Sequence, residues 1–193
     1  MKIFATKPTD ASLPTLYATG ADFCRIFEDN MHRLYLLSLL LTADLFLAKK
    51  CFVAGLETSK SSSTVFKDWA QSWARRTIIT NAIRIIGPRP EDASNRNRGD
   101  FDELPMELAA VISLNAFDRF VFVMFVLEGY AERDCRLLLH RSSSDIGRAR
   151  ARTLDQLGVL ANLYGKTIQL QSKAHDRQLT LAPGLVPRLA VSA

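Results

Sequence analysis

The residues able to do chemistry are scattered along this chain. His32, His140 and His175 stand far apart, without the HExxH or CxxC company that a metal site needs, so no metal is expected and they read as surface or cap histidines. Gly165-Lys166-Thr167 has the wording of the end of a phosphate-binding loop. The glycine required five positions earlier is Leu160, however, and no apolar strand precedes it. The serine runs Ser61 to Ser63 and Ser142 to Ser144 lack the Gly-x-Ser-x-Gly elbow of a nucleophile and suit a loop and a helix start. Asp100 and Asp102 lie in a polar stretch that needs no catalytic explanation. The expectation is a protein without catalytic residues or cofactor.

What remains is charge and helical patterning. The 193 residues allow one medium domain or two small ones. With 48% hydrophobic and 23% charged residues, the composition excludes wholesale disorder, collagen-like repeats and a disulfide-stapled miniprotein. The apolar runs Leu34 to Leu41 and Phe120 to Leu127 are each too short for a membrane span. No secretory signal pattern opens the chain, so a cytoplasmic location is expected. Cys24, Cys51 and Cys135 are widely spaced without a CxxC pair and read as free, packed thiols.

The net charge of +5 is unevenly spread. Lys67, Arg75, Arg76, Arg84 and Arg89 face only Asp68 between residues 66 and 89. Glu91 to Glu107 is acidic and is entered through Gly87-Pro88-Arg89-Pro90, which reads as a solvated linker over 88–104. Arg133, Arg136, Arg141, Arg148, Arg150 and Arg152 then outnumber Glu132, Asp134 and Asp145. Two basic segments could each touch phosphate, although solvated helical faces give the same count.

These residues must be positioned by helices. Phe23, Ile26, Phe27, Met31, Leu34, Leu37 and Leu41 recur at steps of three and four, predicting one amphipathic helix with Asp22 as its cap. A second helix is expected over 45–56 and a third over 65–86, stopped by Gly87-Pro88. Four shorter ones follow near 106–113, 116–127, 131–139 and 143–157. The fold class is therefore all-α, in two small modules over 1–87 and 105–157, with an extension over 158–193.

The helix at 131–139, the turn His140 to Ser142 and the basic helix opening Ser143-Ser144-Asp145-Ile146 have the lengths of a helix-turn-helix. Leu137, Leu138, Ile146, Leu154 and Leu157 would form its core. Arg148 and Arg152 lie one turn apart on a shared face, with Arg150 turned away, so the three cannot all meet one base edge. An exposed arginine-rich helix on an ordinary bundle has the same pattern.

The order and local wording of both halves resemble the bacterial sigma-70 family, specifically its small extracytoplasmic-function group. Leu34-Tyr35-Leu36-Leu37-Ser38 followed by Leu41-Thr42-Ala43-Asp44 is similar to the family's LYRLALRLTGD. Phe66, Trp69, Trp73-Ala74-Arg75 and Arg84 resemble its FxxWLxxIAxN segment. Phe120-Val121-Phe122 and Leu127-Glu128-Gly129-Tyr130 look like the opening of its second DNA-binding module, and Ser142 to Arg152 aligns with the recognition helix.

The resemblance implies a transcription initiation factor that binds core RNA polymerase and promoter DNA, with an anti-sigma protein as a possible partner. It places Ala48, Lys49, Phe52 and Val53 against polymerase. Trp69, Trp73, Arg75, Arg76 and Arg84 would lie near melted DNA at the −10 element, and Ser143, Ser144, Asp145, Arg148 and Arg152 in the major groove at the −35 element. Lys49 and Lys50 stand where the family has acids, Arg136 where it has alanine and His140 where it has the turn glycine. Those departures imply the alternative of a degenerate sigma-fold regulator acting through protein partners.

Overall fold

The computed structural model describes residues 16–62, 64–91 and 104–159, and what it describes is helical, with no strand and a single isolated bridge from Tyr17 to Phe66. The all-α expectation holds. The chain divides into two compact units, Met1–Thr153 and Leu154–Ala193. Both predicted modules therefore contribute to the first unit, and the expected linker falls inside it. Most of that linker lies outside the described residues, as do Ser63, Gly165-Lys166-Thr167, His175 and most of the carboxyl-terminal extension.

Helix α1 spans Gly20–Asp29 and α2 spans Met31–Thr42, so the predicted continuous helix is broken at Asn30. Thr19, not Asp22, is the cap. The Thr19 hydroxyl accepts from the Asp22 N–H at 3.3 Å and the Asp22 carboxylate accepts from the Thr19 N–H at 2.8 Å, a reciprocal box that satisfies two otherwise orphaned donors. Helix α3, Leu45–Lys60, is capped by Asp44, which accepts from the Leu47 N–H at 2.7 Å; it runs a full turn beyond the expected end. The predicted third helix begins as a 3₁₀ turn, Lys67–Trp69, and continues as α4, Ala70–Ile86. Gly87 stops it in the left-handed conformation, φ +58°, as the Gly-Pro pair indicated.

Helices α3 and α4 cross closely because small residues line the crossing. Ala48, Cys51, Ala74 and Ala82 are fully buried, and a Cβ on Gly55 would come within 2.5 Å of Ile78 Cδ1. Polar groups caught in this contact pair with each other: Ser59 and Thr77 share a hydrogen bond of 2.9 Å, and the Cys51 thiol donates to the Ile78 carbonyl at 3.4 Å.

Helix α2 is the hub. Besides α1, α3 and α4, it carries α5, Met106–Ser113, and α6, Ala116–Phe122, so residues 37 to 43 are buried without a break. Ser38 and Thr42 within that stretch return their hydroxyls to the Leu34 and Ser38 carbonyls at 2.9 and 2.8 Å. Helix α6 passes into a π-helical segment, Val123–Leu127, in place of the predicted regular helix to Leu127. Helix α7, Glu132–Leu139, and α8, helical over residues 143–159, complete the described chain. The three cysteines are free, Cys51 and Cys135 buried and Cys24 half-buried.

Candidate nucleic-acid interface

The turn between α7 and α8 is built by local chemistry. His140 takes the left-handed conformation, φ 51°, at the end of α7. The N–H groups of His140 and Arg141 both reach the Arg136 carbonyl, the latter at 3.1 Å, and close the helix end. Ser142 then opens α8: its hydroxyl accepts from the Asp145 N–H at 3.1 Å and donates to the Asp145 carboxylate at 2.7 Å. Ser143 hydrogen-bonds to Glu132 and ties the start of α8 to the start of α7.

Beneath this turn, Ile146, Ala149 and Thr153 are buried at helical spacing, with Cys135 and Leu139 buried on α7. The predicted core is corrected here. Ile146 is fully buried, but Leu137 and Leu154 are each 61% exposed, since the inward stripe of α7 runs through Cys135 and Leu139.

The expected recognition residues separate into two groups. Ser143, Ser144, Gly147 and Arg148 face solvent, and the Arg148 side chain is 66% exposed. Asp145 does not reach outward as expected. Its carboxylate is engaged by Ser142 and by Arg148 at 2.6 Å, and those hydrogen bonds hold its pKa below the usual carboxylate value. Arg152 is also spent internally. Its guanidinium forks onto the fully buried Asp118 carboxylate at 2.9 and 2.6 Å, so it anchors α8 to α6 and is not free for a base edge. Arg150 lies over the Phe125 ring, 3.8 Å from its centroid.

On α4 and the turn before it, Trp69 is 65% exposed and stands edge-on to Phe66, with ring centroids 5.4 Å apart. Trp73 is half-buried against Phe23, Val65 and Ala70 and donates its indole N–H to Ser62 at 3.1 Å, a packing role. Arg76 and Arg84 are exposed; Arg84 hydrogen-bonds to Asn81. Arg75 points to Glu128 at 3.8 Å. On α3, Ala48 is fully buried and cannot face a partner, whereas Lys49 and Val53 are exposed and Phe52 is half-buried against Phe27 and Tyr35.

Two residues that carry much of the architecture were not singled out in the sequence. Asp118 and Arg119 interrupt the apolar run from Phe117 to Leu127, and a charged pair inside such a run was the available signal. Arg119 is buried, and among the described residues it has no carboxylate partner. It donates to the Leu41 carbonyl at 3.4 Å, the Ile112 carbonyl at 3.3 Å and the Leu114 carbonyl at 2.8 Å, at the carboxyl ends of α2 and α5. Those ends present unsatisfied carbonyls and a negative dipole, which is what a guanidinium complements. Burial nonetheless lowers its pKa to about 10.

No family model matches the chain, and neither does any curated protein or solved structure. Among the described residues there is no cluster of His, Cys, Asp or Glu able to hold a metal, and no helix is long and apolar enough to cross a membrane.

Proposed function

We propose that this protein is a sigma-like transcription initiation factor that binds promoter DNA through α7 and α8 and core RNA polymerase through α3. The observation that carries the reading is the capped start of α8, where Ser143, Ser144, Gly147 and Arg148 face solvent opposite a buried stripe of Ile146, Ala149 and Thr153. A helix entering a major groove reads bases with the residues of its first turns. Arg76, Arg84 and Trp69 on the other basic segment offer phosphate and stacking contacts to an opened strand. On α3, Phe46 and Val53 flank Lys49 and supply an exposed apolar and basic face for polymerase.

Run-off transcription with purified core polymerase tests this proposal. A promoter-specific transcript is expected, and its absence from correctly folded protein removes the initiation-factor reading. In a titration with duplex promoter fragments, Arg148→Ala should weaken binding and lower the salt slope by about one.

A second reading, a regulator acting through protein partners, is favoured by one observation: Arg152 and Arg75 are paired with Asp118 and Glu128 instead of standing free. Co-purification of tagged protein with polymerase subunits, without promoter-specific transcription, would select it.

A further inference from the structure

The outward side of α7 and the turn after it form a groove lined by Arg133, Arg136, Leu137, His140 and Arg141. Arg133, Arg136 and Leu137 stand at i, i+3 and i+4 on one face of α7, His140 follows at its left-handed cap, and Arg141 is fixed beside Arg136 by the hydrogen bond from its N–H to the Arg136 carbonyl. Three guanidinium groups line this groove and no carboxylate does. The acids of α7, Glu132 and Asp134, are outside the lining, and Glu132 is engaged with Ser143. Among the described residues, none of the three guanidinium groups has an ion pair or hydrogen-bond partner, and Arg141 Nε is withdrawn from water with nothing to donate to. A shielded, unpaired guanidinium donor is costly to leave unmet, and an oxyanion supplies the missing acceptor.

We infer that this groove is a phosphate-binding site, separate from the recognition residues at the start of α8. Guanidinium forks match the paired oxygens of a phosphoryl group, and three of them lining one groove without a counter-charge suit a ligand carrying more than one negative charge. The phosphoryl group can come from a free polyphosphate or from the backbone of a duplex. The site does not depend on promoter recognition, since no base-reading residue belongs to it.

Calorimetric titration of the full chain with inorganic pyrophosphate, at constant ionic strength with chloride as the competing anion, measures the site directly. Saturable binding is expected, reduced about tenfold by Arg136→Ala and further by Arg133→Ala/Arg136→Ala, while Arg148→Ala leaves it unchanged. Arg133 and Arg136 are exposed, so these substitutions leave the core intact, and a thermal melt of each variant checks this. Displacement of a bound non-promoter duplex by pyrophosphate, lost in the double variant, assigns the groove to backbone phosphate. Pyrophosphate binding without any duplex binding assigns it to a free anion, keeps the site and removes the DNA reading above. No saturable pyrophosphate binding, or binding unchanged in the double variant, overturns the inference.

Discussion

Arg148 and Arg152 sit one turn apart on the same helix yet do different work, and the difference is a measurable one. Arg152 neutralises a carboxylate with no exposure to solvent, so Arg152→Ala leaves Asp118 buried without its counter-charge and should lower unfolding stability by about 2 kcal/mol, less than a fully buried pair because Arg152 itself is half-exposed. Arg148→Ala should change stability little and duplex binding more; chemical denaturation and binding titration on the same two variants separate the roles. Glu128 offers a test by pH. Burial raises its pKa above the ordinary 4.5 and the Arg75 guanidinium partly offsets this. The folded protein thus holds this proton more tightly than the unfolded chain. Its contribution to stability is fully present below the unfolded pKa and is lost as pH rises through the folded one. Removing the offset in Arg75→Met should move the Glu128 titration, followed by carboxyl NMR, to still higher pH. The thiols form a third test at this scale: burial pushes Cys51 and Cys135 up to about 11, so a thiol reagent should label half-buried Cys24 first and the other two only on unfolding, read by peptide mass.

At the scale of elements, two glycines inside helices have opposite consequences. A Cβ on Gly147 would meet nothing within 4 Å, so Gly147→Ala removes backbone entropy from α8 without any clash and should stabilise the fold by about 1 kcal/mol. Gly55 lies against Ile78 at the crossing of α3 and α4, where Gly55→Val should destabilise by about 2 kcal/mol as overpacking forces the helices apart. Thermal melts of the two variants should therefore shift in opposite directions. Some helix ends were legible locally, Gly87 as a stop through its left-handed conformation and Ser142 as a start through its hydroxyl, whereas the cap of α1 fell on Thr19 and not on Asp22. The break at Asn30 was not legible. The apolar spacing runs unbroken across it from Phe27 to Met31, and periodicity registers a buried face without registering a change of axis.

For the whole molecule, the decisive contact is Arg119. By bonding the last carbonyls of α2 and α5 at once, it ties α2 in the first half of the chain to α5 and α6 in the second. Arg119→Met keeps the stem but leaves three buried carbonyl groups short of a donor, so it should cost about 3 kcal/mol. Denaturation should also lose single-step character as α5 and α6 loosen from α2. The fold class, most helix positions and the exposed start of α8 were determined by the sequence itself, because helical periodicity and capping are written within a few residues of where they act. The pairing of Arg152 with Asp118, the burial of Ala48 and the unbroken burial of α2 from residue 37 to its end were decided only by tertiary structure. A charge count does not distinguish an arginine aimed at solvent from one neutralised by a carboxylate 34 positions away, and that choice belongs to packing.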